Sequence, residues 1–167
     1  MRHPDSLAFA WLFHAWIHGY RRDWHRSVAS SETGIAIARQ SGSVQTLAWN
    51  GCVHGWAVAH AGNPTNGEAE MAAAVEASKG IRGEVALPQF SAMMAEVLLI
   101  RGDLTAAEAC LTQAMDFEKS HDDAYFAAEV KRLSGVSLAR LGRTDDARTR
   151  LREAREIARA QARPCSS

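Results

Sequence analysis

Small, apolar and polar positions recur along this chain every 40 residues. Gly62, Gly102 and Gly142 are each followed by a polar residue and a new run of helix formers: GNPTNGEAEM, GDLTAAEACL and GRTDDARTRL. One period earlier stands Arg22, in RRDWHRSVAS, where the glycine is missing but Asp23 and Trp24 open the next run in register. Ala15, Gly55, Ala95 and Gly135 form one column of small residues. Ser27, Gly67, Ala107 and Ala147 form a second, and Gly34, Ala74, Ala114 and Ala154 a third. Met71, Leu111 and Leu151 supply a large apolar side chain after the second column. Arg39, Lys79, Lys119 and Arg159 place a cation near the end of every second run, where the helix macrodipole favours it. Small side chains at fixed places let two helices approach closely. No single pair can bury its apolar face alone, so neighbouring pairs must stack to form the core.

With Pro4, Pro64 and Pro88 at or beside the starts, this pattern predicts eight helices, at 5–19, 23–40, 44–61, 65–79, 88–101, 104–119, 124–141 and 144–162. They make one domain over 1–167, with repeats at about 8–47, 48–87, 88–127 and 128–167. The three small columns resemble the eighth, twentieth and twenty-seventh positions of the tetratricopeptide repeat, lengthened by six residues that fall at 42–47, 82–87 and 122–127. That resemblance implies an all-α, right-handed tetratricopeptide-like α-solenoid.

A more specific likeness is carried by HPDSLAFAWLFHAWIHGYRRD, LAWNGCVHGWAVAHAG, LPQFSAMMAEVLLIRGD, and AEVKRLSGVSLARLG with AREIARAQA. These segments look like the carboxy-terminal helical repeats of bacterial predicted-ATPase regulators, which are often fused to a class III adenylate or guanylate cyclase. The likeness covers nearly the whole chain and implies a regulatory setting. No G-x-x-x-x-G-K-[ST] phosphate loop and no cyclase-like segment is present, so neither activity carries over. Members of that family carry longer arrays, so the chain is expected to be a stand-alone remnant, a short paralogue or part of a longer protein. Solenoid ends without a neighbour tend to associate.

In tetratricopeptide arrays the first helix of each repeat lines the concave face. The resemblance therefore implies a groove made by Phe9, Leu12, Trp16, Gly19 and Tyr20, then Trp49, Cys52, Trp56, Ala59 and His60. Gln89, Ala92, Glu96, Leu99 and Ile100 follow, then Glu129, Arg132, Val136, Ala139 and Arg140. One half is aromatic and suits an extended or helical apolar segment. In the other, Arg132 and Arg140 either clamp a carboxylate or pair with Glu96 and Glu129. Trp16 and Trp56 are expected to stack. The competing reading makes the aromatic residues core, or a self-association surface.

Composition sharpens this picture. Alanine is the dominant residue and only two tyrosines and four prolines occur, which suits helices. Nineteen basic residues balance nineteen acidic ones among 167, which argues against a general polyanion binder. All five tryptophans and six of seven histidines precede residue 61, whereas eight arginines lie between Arg140 and Arg163. Arg148, Arg152, Arg155 and Arg159 make a stripe that could meet phosphates, but Asp145, Asp146, Glu153 and Glu156 beside it favour a solvated helix over a nucleic-acid surface. Cys52, Cys110 and Cys165 are odd in number and far apart, as in reduced cytoplasmic proteins. The apolar stretch 7–17 lacks a following cleavage site, and no run reaches the roughly 20 apolar residues of a membrane span.

His14 and His18 share a helix face, and His54 has the repeat position of His14, so three imidazoles could converge as metal ligands in a hydrolase. HAWIH lacks the glutamate of H-E-x-x-H, and no G-x-S-x-G elbow occurs. The expected function is a non-catalytic protein- or peptide-binding scaffold without cofactors. A metal-dependent hydrolase and a self-assembling scaffold are the alternatives.

Overall fold

A computed structural model describes residues 4–78, 87–121 and 125–162. The described residues contain eight α-helices and no strand: α1 Pro4–Tyr20, α2 Trp24–Ser41, α3 Val44–His60, α4 Pro64–Ser78, α5 Leu87–Arg101, α6 Leu104–His121, α7 Ala127–Arg140 and α8 Thr144–Gln161. The expected segments therefore correspond to helices one for one. The largest displacement is α7, expected from 124, which begins at Ala127 because the amides of Glu129 and Val130 both bond to the Phe126 carbonyl. The expected connection at 82–87 falls mostly, and that at 122–127 partly, outside the described residues, as do Lys79 and Cys165. At 42–47 four of the six added residues lie in α3, since only Gly42 and Ser43 separate α2 from α3.

The chain divides into two compact units, Met1–Glu84 and Val85–Ser167. In the first, α1 packs on α2, α2 on α3 and α3 on α4, while α1 also lies beside α3. In the second, α5 to α8 repeat the same set of neighbours. Each unit is thus two antiparallel helix pairs whose first helices lie side by side.

The small columns sit where the paired helices come closest. A Cβ added to Gly55 would lie 2.6 Å from the Gly67 carbonyl, and one added to Gly67 would strike the Gly55 carbonyl. One added to Gly135 would reach the Leu151 side chain and, at 3.2 Å, the Ala147 carbonyl. In the first pair the Ser27 hydroxyl donates to the Ala15 carbonyl at 2.9 Å, so one contact serves as both packing and hydrogen bond. In the third column Gly34 leaves room for Asn50 of the next helix pair, whose buried amide donates to Thr46 and, on α1, to the Ala8 carbonyl at 3.3 Å. Met71 and Leu111 are fully buried as expected of apolar plugs, whereas Leu151 stays 41% exposed. In the second unit Leu98, Leu99, Leu111, Val130 and Leu133 share one core.

The turns are also copies. Amides of Asp23, Ser43, Asn63, Asp103 and Arg143 each bond to the carbonyl five residues back, closing the helix before them in a Schellman arrangement. This places the preceding residue at positive φ, and glycine fills it at Gly42, Gly62, Gly102 and Gly142. The first turn has Arg22 there instead, at φ 61°. The left-handed conformation costs a residue with a Cβ about 1–2 kcal/mol, part of which glycine loses again through its freer unfolded chain. Arg22→Gly is therefore expected to stabilise the protein by about 0.5–1 kcal/mol, read as a higher urea midpoint with an unchanged slope. A lowered midpoint would contradict this account of the turn.

Candidate functional site

The buried positions of α1 are Ala8, Leu12, Ala15 and Gly19, spaced so that one helix face meets α2 and α3. The adjoining face is apolar too. Phe9, Phe13, Ile17 and Tyr20 are 40%, 45%, 55% and 55% exposed, although each repeats at helical spacing. Their rings form a chain: Phe9 meets Phe13 edge to face at 5.0 Å, and Phe13 meets Trp16 likewise at 5.2 Å. Trp49 of α3 continues it, 6.0 Å from Phe9. Edge-to-face contacts of this kind favour particular ring orientations by about 0.5–1.5 kcal/mol each.

Beneath the far end of this face lies a second aromatic cluster. Gly19 provides the space for the Trp56 ring, which would collide with any side chain there. Trp24 stands perpendicular to Trp56 at 5.1 Å and stacks on His60 at 4.0 Å, while Tyr20 approaches Trp56 at 5.7 Å. Trp56 is 3% exposed and Trp24 half-buried.

The expected groove positions therefore separate by depth. Phe9 and Tyr20 lie on the exposed face, with Trp16, Trp49 and His60 half-buried. Leu12, Cys52 and Trp56 are 0%, 1% and 3% exposed, and Gly19 and Ala59 are buried with them, because α1 and α3 turn these positions toward their helical neighbours. They act as core in this structure. Trp56 meets Trp24, Tyr20 and His60, and Trp16 packs on Phe13. Phe13 and Ile17 were absent from the expected groove; their signal was the spacing of Phe9, Phe13, Ile17 and Tyr20 in the sequence itself.

In the second unit Gln89, Ala92 and Leu99 are buried, Glu96, Glu129, Arg132 and Val136 half-buried, and Ile100, Ala139 and Arg140 exposed. Of the two arrangements open to the arginines, Arg132 adopts the paired one. Its Nε and Nη2 donate to the two Glu129 oxygens at 2.8 and 2.6 Å, with Glu96 3.8 Å away. The Glu129 hydrogen bonds hold the guanidinium pKa above its ordinary value. Arg140 donates to the Leu99 carbonyl at the end of α5. Arg148, Arg152, Arg155 and Arg159 are exposed on α8, with Arg148 3.5 Å from Asp145.

The histidines make local contacts. His14 and His18 lie edge to face at 4.5 Å, with the His14 ring nitrogen Nδ1 2.9 Å from the Ser30 hydroxyl and that of His18 3.6 Å from Asp23. His54 lies with Nδ1 2.6 Å from Glu70 and Nε2 3.8 Å from Glu32. Among the described residues no three His, Cys, Asp or Glu side chains form a set that could hold a metal ion. Burial pushes the Cys52 thiol up from 9.0 to about 12, which opposes any nucleophilic use at neutral pH.

No protein-family model and no curated protein matches the sequence. Among the described residues no helix is long and apolar enough to cross a membrane.

Two outcomes follow from this division by depth. Trp56→Ala should cost about 3–5 kcal/mol in a denaturant titration, whereas Phe13→Ala should stay within about 0.5 kcal/mol; similar losses for both would show that the exposed face is part of the core. The native Cys52 thiol keeps its proton while the unfolded one loses it from pH 9.0, so native stability should fall as pH rises from 9.0 toward about 12. Cys52→Ala should flatten that fall, as measured by unfolding midpoints across the range.

Proposed function

We propose that this protein is a non-catalytic, tetratricopeptide-like scaffold that holds an apolar segment of a partner protein against α1. The repeated turns, the small columns at the helix contacts and the side-by-side first helices support a right-handed solenoid of that kind. The observation that carries the function is the exposed row Phe9, Phe13, Ile17 and Tyr20, flanked by Trp16 and Trp49. Over twelve residues, or eleven steps along the helix, this row extends for about 16 Å, the length of three helical turns. An amphipathic helix presenting apolar residues at i, i+3, i+4 and i+7 has the matching length and periodicity. The likeness to ATPase-associated repeats favours a regulatory partner, met in the cytoplasm.

A synthetic amphipathic helix of about four turns, with leucine at those positions, is the direct probe. Its titration should shift tryptophan emission saturably. The double variant Phe13→Glu with Ile17→Glu should lose about tenfold or more in affinity while its circular dichroism is unchanged. Undiminished binding would overturn the reading. So would a wild-type dimer, seen by light scattering, that only the double variant dissociates, which would assign the row to self-association instead.

A further inference from the structure

The second unit contains a half-open cleft of about 330 Å³ between α6 and α8, floored by α7 with Ser134 among its lining. The 40-residue period makes this the counterpart, 80 positions on, of a place in the first unit. There, His54 corresponds to Ser134, Glu70 to Arg150 and Glu32 to Thr112. In the first unit the imidazole stands among α2, α3 and α4, held by Glu70 on α4 and facing Glu32 on α2. In the second a serine stands there, and space remains.

The charges around that space are nearly closed among themselves. Arg143 pairs with Asp146 at 2.8 Å, and Glu153 accepts from Arg150 at 3.0 Å and from Lys131 at 2.9 Å. Those bonds hold the Glu153 carboxyl below its ordinary pKa, with the Lys131 hydrogen bond the largest cause. Glu108 is different. It lines the cavity, and its Oε1 is buried with no hydrogen-bond partner. A carboxylate oxygen removed from water without a donor is costly, so the wall presents one acceptor that lacks an N–H partner. Met115 and Leu138 add apolar lining beside it.

We propose that this cavity is a binding site for a small organic monocation with N–H donors and a short apolar portion, an alkylammonium in the simplest case. The ammonium bonds to Glu108, and the alkyl part lies along Met115 and Leu138. The volume falls at the small end of ligand pockets, which limits the occupant to a small molecule. This site belongs to α6, α7 and α8 and is independent of the α1 face.

The full chain titrated with n-butylammonium chloride, followed by the amide NMR signals of Ser134 and Thr149, tests the proposal. Saturable shifts with a Kd of about 1 mM or tighter are expected. Neither n-butanol nor butyrate should reproduce them. Glu108→Gln should weaken binding about 10- to 100-fold, the worth of one charged hydrogen bond. Ser134→His, which supplies the imidazole of the first unit, should block it while the fold persists by circular dichroism. No saturable shift, equal binding of the alcohol or the carboxylate, or full affinity in the Ser134→His protein would each overturn the assignment.

Discussion

The architecture depends on backbone-distance contact between paired helices. At Gly55 and Gly67 nothing larger than hydrogen fits, and at Ala15 and Ser27 the closeness is used for a hydroxyl-to-carbonyl bond. Such proximity fixes the rotation of each helix about its own axis. Once the small column faces inward, every other position on the helix has its environment assigned. In α1 that assignment buries Ala8, Leu12, Ala15 and Gly19 and turns Phe9, Phe13 and Ile17 outward, whatever their hydrophobicity. The apolar face is therefore a consequence of where the small residues stand. The same helices neighbour one another in each unit, so side chains at equivalent repeat positions can be compared between them.

The exchange of His54 for Ser134 is the clearest such difference. One side chain occupies a bridging place between two second helices, and the other lies in the lining of a cleft there. The exchange of glycine for Arg22 is a difference of the opposite kind. The turn closes with the same backbone bonds even though its residue carries the cost of the left-handed conformation.

Much of the fold was legible because its determinants are local and repeated. Glycine at the turns and the cations in the last turns of α2, α6 and α8 are visible in sequence and act within a few residues of themselves. The candidate site was only half legible. Transferring groove positions from the tetratricopeptide pattern selects Leu12, Cys52 and Trp56, but whether an inward-leaning position ends in a groove or in the core depends on the sizes of its neighbours. Gly19 decides this for Trp56 by leaving room for the whole ring. The partners of Arg132 and Arg140 were visible only as options, since a guanidinium can reach several acceptors from one backbone position. The cleft beside Glu108 was invisible to sequence, because its lining side chains come from three helices and the α7–α8 turn and meet only in the fold.

The confinement of every tryptophan to the first unit gives the molecule a built-in division of optical signals. Every indole lies in α1 to α4, with Trp56 enclosed and Trp24 stacked on an imidazole. Helical ellipticity reports on both units together. Melting followed at the two wavelengths thus resolves the chain's cooperativity without any added label: coincident curves mean one folding unit, and an offset between them measures the independence of its halves.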